Sequence, residues 1–495
     1  MICVALGRGR HRHMIAEHRH LVEQGAQLVE LRLDYIEGPV NLKRLLIDRP
    51  SPIIATCRRQ ADGGKWTGSE TDRQMLLRQA IVEGVEYVDL EEDIAGSLPR
   101  FGKTKRIVSL HDFRRTPENL ETIHARMSGL NADIVKLSTM ANHPHDNLRM
   151  LKLIQQSKIP TVGMCMGDIG TPSRILSSRF GAPFTYATFS QERVLAPGQL
   201  SYKTMRDVYR YDELNAETVV YGVIADPVGH SLSPHIHNAA LRQAGMNAVY
   251  VPFRVPPADL DQFIADAKDY GIQGLSVTIP HKEAVLKHLT KIDAAVKAVG
   301  AANTLVFAGS NVQGFNTDYQ AAMSSLEEAV GMDSTGPNKL KGKTALVLGA
   351  GGAAKAIAAG LKRREANVVI ASRTLERAQQ LADRLECKAV EWAHRHSVSP
   401  EIVVNCTPVG MHPNLDDTPF DKREMKPSMV VFDTVYNPEN TLLIKDARSR
   451  NCTIVTGVEM FIRQAALQFQ LFTGDEAPHE LLREVLKRVI GPAKT

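Results

Sequence analysis

Between residue 1 and about residue 190 the chain carries eight short apolar runs rich in β-branched residues, with amphipathic helical stretches between them. They read ICVALG from Ile2, LVELRLDY from Leu28, PIIATCRR from Pro52, YVDLEE from Tyr87, RIVSLHDF from Arg106, DIVKLST from Asp133, PTVGMCMG from Pro160 and FTYATF from Phe184. Runs of this length read as buried strands, and their alternation with helical segments predicts parallel pairing. Eight strand-then-helix units predict an α/β fold of the (β/α)8 barrel type, whose chemistry sits at the carboxyl ends of the strands. Polar groups collect at those ends. Glu30, Arg32 and Asp34 close the second run, Arg58 the third, His111 and Asp112 the fifth, and Lys136 follows in the sixth. Any one of these alone reads as a solvated strand end, and it is their recurrence at one barrel face that points to catalysis.

A barrel of that size uses less than half of 495 residues, and single cores stop growing at about 250–300 residues. Further domains must follow. The composition, 43% hydrophobic and 23% charged, is that of ordinary globular domains. Sixty basic against 55 acidic residues leave a formal charge of +5, too little for a nucleic-acid binder by bulk charge and compatible with small anionic substrates. The six cysteines are scattered, with no C-x-x-C pair and no zinc-ligand spacing, so reduced thiols and no metal are expected. No apolar stretch reaches the roughly 18 residues of a membrane span. The chain opens directly on an apolar run without signal- or transit-peptide character, which places the expectation in the cytoplasm. The basic run Arg8 to His13 reads as a solvated first loop.

A short polar stretch, Tyr211 to Thr218, leads to a second α/β region with apolar runs from Val219, Val249, Gly274 and Asn303, expected to form a small open sheet. A polar break from Gly331 to Lys343 marks another boundary. Beyond it, TALVLGAGGAAKAIAAGL combines a strand, a glycine turn and a small-residue helix, and NVVIAS ends at Ser372. Gly349, Gly351 and Ala354, with Gly352 and Ala353 between them, satisfy G-x-G-x-x-G/A in the strand–turn–helix context that the fingerprint needs. Small residues let backbone amides approach a pyrophosphate at the positive end of the helix. Where an NAD enzyme presents an acid to the ribose 2′-hydroxyl, this chain has Ser372, Arg373 and Thr374, with Arg377 one helical step on. Guanidinium and hydroxyl groups suit a 2′-phosphate, so NADP is preferred over NAD.

The segments DPVGHSLSPHIHN, SVTIPHKE, GAANTL and GFNTD follow in that order between Asp226 and Asp318, and GVEMFIRQA begins at Gly457. With GAGGAAKA they resemble shikimate dehydrogenase from about residue 218 to 495. The resemblance implies that Ser231 and Ser233 bind the substrate carboxylate, that Thr278, Asn303 and Gln464 contact ring hydroxyls, and that Lys282 and Asp318 form the catalytic dyad. Hydride reduction of a ketone develops alkoxide character, so an ammonium held by a carboxylate is the pair such chemistry needs. Tyr436, in DTVYNP, resembles a family element lining the cleft. Ser276 stands where many members have Asn before V-T-I-P-H-K.

Residues 1 to about 210 resemble type I 3-dehydroquinate dehydratase through ELRLD, CRRQADGG, SLHDF, DIVKLST, MGDIGTPSR and APGQ. Lys136 falls on the Schiff-base lysine and His111 on the general acid/base. An unprotonated amine condenses with a ketone, and the iminium then acts as an electron sink for the adjacent carbanion. Burial beside guanidinium groups such as Arg58 and Arg174 is expected to favour the neutral amine. Glu30, Arg32, Arg58, Arg174 and Gln199 would bind the hydroxyls and the carboxylate. Asp62 replaces the usual Glu that orients the histidine, and Leu195 replaces the Ser or Thr before A-P-G-Q. The expected outcome is an active but suboptimal dehydratase, with Arg174 and Gln199 carrying the carboxylate.

The two resemblances describe consecutive reactions. The expected domains are a barrel over residues 1–212, a substrate-binding domain over 218–330 completed by helices at about 458–495, and an NADP-binding Rossmann-like domain over 340–457. The expected ligands are 3-dehydroquinate, 3-dehydroshikimate, shikimate and NADPH, with no metal, nucleic acid or membrane. Two rivals stay open at this point: a quinate/shikimate dehydrogenase with a weak or inactive barrel, and a non-catalytic sensor built from the same folds.

Overall fold

In the computed structural model, which describes residues 1–332 and 337–491, the eight expected runs become β1 (Ile2–Leu6), β2 (Leu28–Arg32), β3 (Ile53–Thr56), β4 (Tyr87–Glu91), β5 (Lys105–Asp112), β6 (Ile134–Met140), β7 (Thr161–Met166) and β8 (Thr185–Thr188). They form one sheet in the order β7-β6-β5-β4-β3-β2-β1-β8, with every described pair parallel. Because β8 bonds to β1, the sheet curls into a nearly closed barrel. Helices such as Glu70–Val82 and Pro144–Gln156 cover its outer face, so most strand residues are buried on both sides and the runs read as continuously apolar.

The two-residue period sets what points inward. Cys3, Leu28, Ile54, Ile107, Ile134, Val162 and Phe184 pack the interior as one apolar cluster. One step further along the strands the inward positions turn polar: Ser109 of β5 pairs with Lys136 of β6, and the next pair on that face is His111 with Ser138. The barrel's axis therefore runs from a hydrocarbon floor to a charged mouth.

The basic run does not stay in the first loop. The helix His11–Glu23 takes its second half, and Arg8 pairs with Glu17 at 2.5 Å. The stretch from Tyr211 is anchored rather than solvated. Tyr211 is fully buried and its hydroxyl lies 2.8 Å from Ser177 Oγ, a packing role hidden by its polar neighbours.

The chain divides into two compact units, residues 1–222, 226–230 and 247–272 in one, and 223–225, 231–246 and 273–495 in the other. In the first unit the helix Leu260–Tyr270 lies against Pro144–Gln156: Tyr270 donates to the Pro144 carbonyl at 2.8 Å, and His145 Nδ1 is 2.7 Å from Asp266 Oδ2.

A second sheet has the order β10-β9-β11-β13-β14-β12, with β9 (Val219–Ala225), β10 (Ala248–Arg254), β11 (Ile272–Val277), β12 (Lys291–Ile292), β13 (Thr304–Ala308) and β14 (Asn311–Phe315). Four of these match the expected runs. The other two escaped because β12 is only two exposed residues and β14 lacks an apolar run. Gly309, at φ +65°, helps close the tight β13–β14 hairpin.

The third sheet is β15 (Thr344–Leu348), β16 (Asn367–Ser372), β17 (Lys388–Glu391), β18 (Ile402–Asn405), β19 (Val430–Asp433) and β20 (Thr453–Val455). It is wholly parallel, in the order β17-β16-β15-β18-β19-β20. The order reverses between β15 and β18, the switch point at which open α/β sheets bind ligands. Residues 333–336 of the expected Gly331–Lys343 break and residues 492–495 at the end of the expected C-terminal helices lie outside the described residues.

Candidate active sites

At the barrel mouth, β2, β5 and β6, the loops after β3 and β8, and the helix Thr171–Leu176 after β7 bring Glu30, Arg32, Arg58, Asp62, His111, Lys136, Arg174 and Gln199 around one cavity. The eight barrel residues to which the resemblance gives a role meet there, whereas Asp34 and Asp112, also noted at the strand ends, do not line the cavity. Two further carboxylates organise them. Lys136 Nζ is 2.9 Å from Asp89 Oδ2 and 3.5 Å from Glu30 Oε1. Arg58 pairs with Asp89 at 2.8 Å and with Glu91 at 2.9 Å, and donates to Ser109 Oγ at 3.0 Å. Burial opposes the Arg58 charge, but Asp89, Glu91 and Glu30 outweigh it and raise its pKa. Burial likewise opposes the Asp89 charge, and Arg58 and Lys136 outweigh that and hold its carboxyl well below the usual range. Arg58 thus keeps its charge and has it matched by Asp89 and Glu91. Glu91 is pinned in turn by the fully buried Arg73 at 2.7 Å.

Arg32 is held by both Asp34 oxygens, at 2.9 and 2.8 Å. Arg174 differs from Arg32 and Arg58, the other guanidinium groups of this cavity, and among the described buried arginines shares its lack of an ion pair only with Arg106, which is buried elsewhere in the barrel against the Leu98 and Ala95 carbonyls. Arg174 is 1% exposed, donates only to the Pro197 carbonyl and Met164 Sδ, leaves Nε without a partner and has no ion pair among the described residues. Burial lowers its pKa to about 10. A buried cation without a carboxylate is costly, and an anionic ligand is the group that would relieve it. Gln199 Oε1 accepts from the Leu195 and Ala196 amides at 2.8 and 3.1 Å. That contact fixes the loop and leaves the amide nitrogen for a ligand.

His111 is half-buried at the cavity, with its Nδ1 buried and unpartnered; desolvation first, then Arg58 and Lys136, push its pKa well below 6.5. It is a neutral imidazole stacked 6.2 Å from Phe113. Asp62 does not orient it through a described hydrogen bond. Asp62 instead takes Arg59 at 2.6 Å, because its shorter side chain sits three residues from an arginine that Asp93 also holds.

The second unit holds the other constellation. Lys282 Nζ donates to Asp318 Oδ2 at 2.6 Å, both side chains less than a fifth exposed. Lys282 follows β11, and Asp318 lies in the first turn of the helix Thr317–Ala329, which Asn316 caps by accepting from the Tyr319 amide. Asn303, immediately before β13, is tied to that same helix start: Oδ1 accepts from the Thr317 amide at 2.8 Å and Nδ2 donates to Thr317 Oγ1 at 2.9 Å. Thr278 caps the end of β11 by donating its amide to Ile224. Ser233 opens the helix Ser233–Gln243, and its amide donates to Ser231 Oγ at 3.4 Å. Gln464 is nearly buried on the helix Gly457–Thr473 and donates to Phe461 O. The Phe461 ring packs 4.6 Å from Tyr436, whose pKa burial raises. Ser276 donates to Gln468 Oε1 at 2.7 Å, and Gln468 donates to Asn303 O and Thr304 Oγ1. The departure at Ser276 is therefore absorbed into a buried hydrogen-bond chain behind Asn303.

The glycine turn links β15 to the helix Gly352–Arg363. Gly349 has φ +115°, and a Cβ there would come within 2.9 Å of the Cys406 carbonyl, so glycine is required. Gly351, Gly352, Lys355, Arg377 and Arg384 line a cavity of about 450 Å³, while Ala354 is buried inside the helix. A Cβ on Gly352 would approach Lys282 Cδ to 3.3 Å, so the dyad lysine and the nucleotide turn are neighbours. Ser372 ends β16 and receives the Thr374 amide at 3.4 Å; Arg373 is exposed.

A Schiff-base-type barrel and a dehydrogenase-type pair of domains in one chain define a two-site α/β enzyme, half lyase and half oxidoreductase. The comparisons with known proteins agree. Type I 3-dehydroquinase matches residues 2–216, the shikimate dehydrogenase substrate-binding domain 223–305, shikimate/quinate 5-dehydrogenase 332–412, and the shikimate 5′-dehydrogenase C-terminal domain 457–487. A chloroplastic bifunctional 3-dehydroquinate dehydratase/shikimate dehydrogenase of Arabidopsis thaliana is 38% identical over 99% of this chain and 84% of its own length. The NADP(+) shikimate dehydrogenase of Methanopyrus kandleri is 41% identical over 55% of this chain and 96% of its own. A crystal structure of shikimate dehydrogenase in complex with NADP+ superposes with a TM-score of 0.52 and 37% identity, covering 56% of this chain and 98% of that one. The chain belongs to the family of bifunctional 3-dehydroquinate dehydratase/shikimate dehydrogenases. Among the described residues no helix is long and apolar enough to cross a membrane.

Proposed function

We propose that the barrel dehydrates 3-dehydroquinate to 3-dehydroshikimate and that the second unit reduces this product to shikimate with NADPH. The observation that carries the first half is the buried Arg174 without a carboxylate, in the same cavity as Lys136 and His111. The substrate carboxylate completes Arg174, with Gln199 donating beside it. The Lys136 amine condenses with the C3 ketone and water leaves, giving an iminium. Neutral His111 takes the C2 proton, the electron pair moves into the iminium, and His111 returns the proton to the C1 hydroxyl as water departs. Glu30 and Arg32 line the same cavity and hold the ring hydroxyls. Asp62 buttresses the mouth through Arg59.

In the second unit the glycine turn has the shape a dinucleotide needs, since a Cβ at Gly349 would strike the Cys406 carbonyl, and Arg377 lines the cavity beyond it. These residues fit NADP: Gly351, Gly352, Ala353 and Ala354 take the pyrophosphate at the helix start, and Ser372, Arg373, Thr374 and Arg377 take the 2′-phosphate. When bound, NADPH supplies the hydride. Lys282 stabilises the developing alkoxide and gives it a proton, Asp318 holds the ammonium, and Ser231, Ser233, Thr278, Asn303, Gln464 and Tyr436 orient the ring and its carboxylate. The domain limits we assign are residues 1–212, 218–330 with the C-terminal helices, and 340–457. Six free cysteines support a reducing compartment, and we place the enzyme in the cytoplasm.

The test is to add 3-dehydroquinate and NADPH to the whole chain. Cofactor oxidation that requires both activities, with a borohydride-trapped adduct on Lys136, is the expected result. Oxidation with added 3-dehydroshikimate but none with 3-dehydroquinate would remove the barrel activity, and turnover on quinate with NAD in preference to shikimate with NADP would replace the second assignment.

A further inference from the structure

Tyr186 lies on β8, in register with Cys3 of β1, and faces the barrel interior. It is 3% exposed, yet its hydroxyl makes no hydrogen bond. A buried hydroxyl without a partner costs about 1–3 kcal/mol, and phenylalanine would fill the same space without that cost. The ring is held at the lysine: Lys136 Nζ is 4.0 Å from its centroid, and Phe184 braces it edge-on at 5.6 Å and 67°. Tyr186 also lines the cavity that holds Lys136, Glu30 and His111.

The polar groups closest to Nζ leave one role open. Asp89 and Glu30 are acceptors. The Arg58 nitrogens are engaged with Asp89, Glu91 and Ser109. Ser109 donates to Asp89, and Thr56 to Glu30. Among the described residues lining the cavity, only the hydroxyls of Tyr186 and Ser138 have an uncommitted hydrogen, and Ser138 stands one inward position nearer the mouth, paired in register with His111. Because Nζ must bond to the substrate's ketone carbon, the ketone oxygen necessarily comes to rest beside Nζ, in carboxylate-lined surroundings that would repel negative charge on it.

We propose that the Tyr186 hydroxyl is a further catalytic group of the lyase, donating a hydrogen bond to the ketone oxygen of the substrate as Lys136 attacks. The inference rests on the Schiff-base reading of Lys136 given above. In this step the amine lone pair forms the N–C bond and the C=O π pair moves onto oxygen. The proton lost from nitrogen goes to that oxygen, giving a neutral carbinolamine, and Tyr186 keeps its own proton throughout. Burial first, then the carboxylates of Glu30 and Asp89, push the phenol pKa well up, so it stays a donor at neutral pH. Donors fixed where charge develops act in this way in other acyl and carbonyl chemistries.

The test is Tyr186→Phe in the full chain, mixed with 3-dehydroquinate and quenched with borohydride at successive times, the Lys136 adduct being read by mass. Adduct formation about tenfold to a hundredfold slower than in the unmutated chain is expected, with unchanged shikimate dehydrogenase activity and an equal or higher melting temperature. Adduct formation at the original rate overturns the proposal. So does a marked fall in melting temperature, which would make the hydroxyl a structural group. No adduct in the unmutated chain would instead overturn the Schiff-base reading itself.

Discussion

Asp89 Oδ2 stands 2.9 Å from Lys136 Nζ while its other oxygen holds Arg58 at 2.8 Å, so one carboxylate positions two cations of the lyase site. Replacing it by asparagine leaves both cations buried and under-compensated. Breaking a buried pair in this way costs about 3–5 kcal/mol. Asp89→Asn is expected to lower the melting temperature of the barrel and to reduce dehydratase kcat more than tenfold, while dehydrogenase activity persists. A Trp392→Phe background, which leaves Trp66 as the sole tryptophan, allows barrel unfolding to be followed by fluorescence.

The dyad in the second unit makes the reciprocal prediction. Lys282→Met removes the proton donor and the cation facing the carbonyl oxygen. Dehydrogenase kcat should fall about 10²–10⁴-fold, with the dehydratase rate unchanged when product formation is followed without NADPH.

For cofactor choice, Arg373→Ala with Arg377→Ala removes the guanidinium groups assigned to the 2′-phosphate. A charge-assisted hydrogen bond contributes about 1.5–3 kcal/mol, so KM for NADPH is expected to rise at least tenfold while KM for NADH stays constant. Equal rises for both would place these arginines elsewhere than at the 2′-phosphate.

The hydrogen bonds that hold the Leu195 loop to Gln199 come from backbone amides, while the Leu195 side chain adds packing against the barrel's apolar cluster. Leu195→Ser should therefore keep the loop and add a donor at the carboxylate, worth about 0.5–1.5 kcal/mol. The expected readout is dehydratase kcat/KM up by two- to tenfold.

Acid should weaken the protein earlier than its carboxylates alone would. Burial holds His18, with help from Arg49, at about 4; it holds His237 at about 3 and His111 well below 6.5. Below pH 6.5 the unfolded chain takes up protons that these folded histidines refuse, so stability is lost as pH falls, by up to about 1.4 kcal/mol per histidine per pH unit. Asp433, raised to about 6 by burial, acts oppositely, its cost growing as pH rises from 3.8 to about 6. It lies in the second unit, so the barrel carries the uncompensated loss. Urea titrations between pH 5 and 7.5, again read at Trp66, should show it.

Much of the molecule is legible in its sequence. All eight barrel strands lie where β-branched runs met turn signals, and Lys136, His111, Lys282 and Asp318 are recognisable because each sits in a dense local motif. Asp89 and Glu91 were overlooked although they alternate within YVDLEE. Acidic residues at a strand end look solvated until the barrel closes and Arg58, Arg73 and Lys136 arrive from other strands. Tyr186 was hidden for the opposite reason, an aromatic residue in an apolar run reading as core. The Asp62–Arg59 pair depends on side-chain reach, which spacing does not report.

Arg174 couples binding to folding. A buried guanidinium that lacks a carboxylate in the free protein makes the barrel a thermodynamic sensor of its own ligand. Any carboxylate that fits stabilises only the folded form, by about 2.7 kcal/mol at a hundred times its Kd. The melting temperature of this chain should thus rise with substrate-like acids even when chemistry is blocked at Lys136, and inhibitors of the lyase could be ranked by that rise without an assay of turnover.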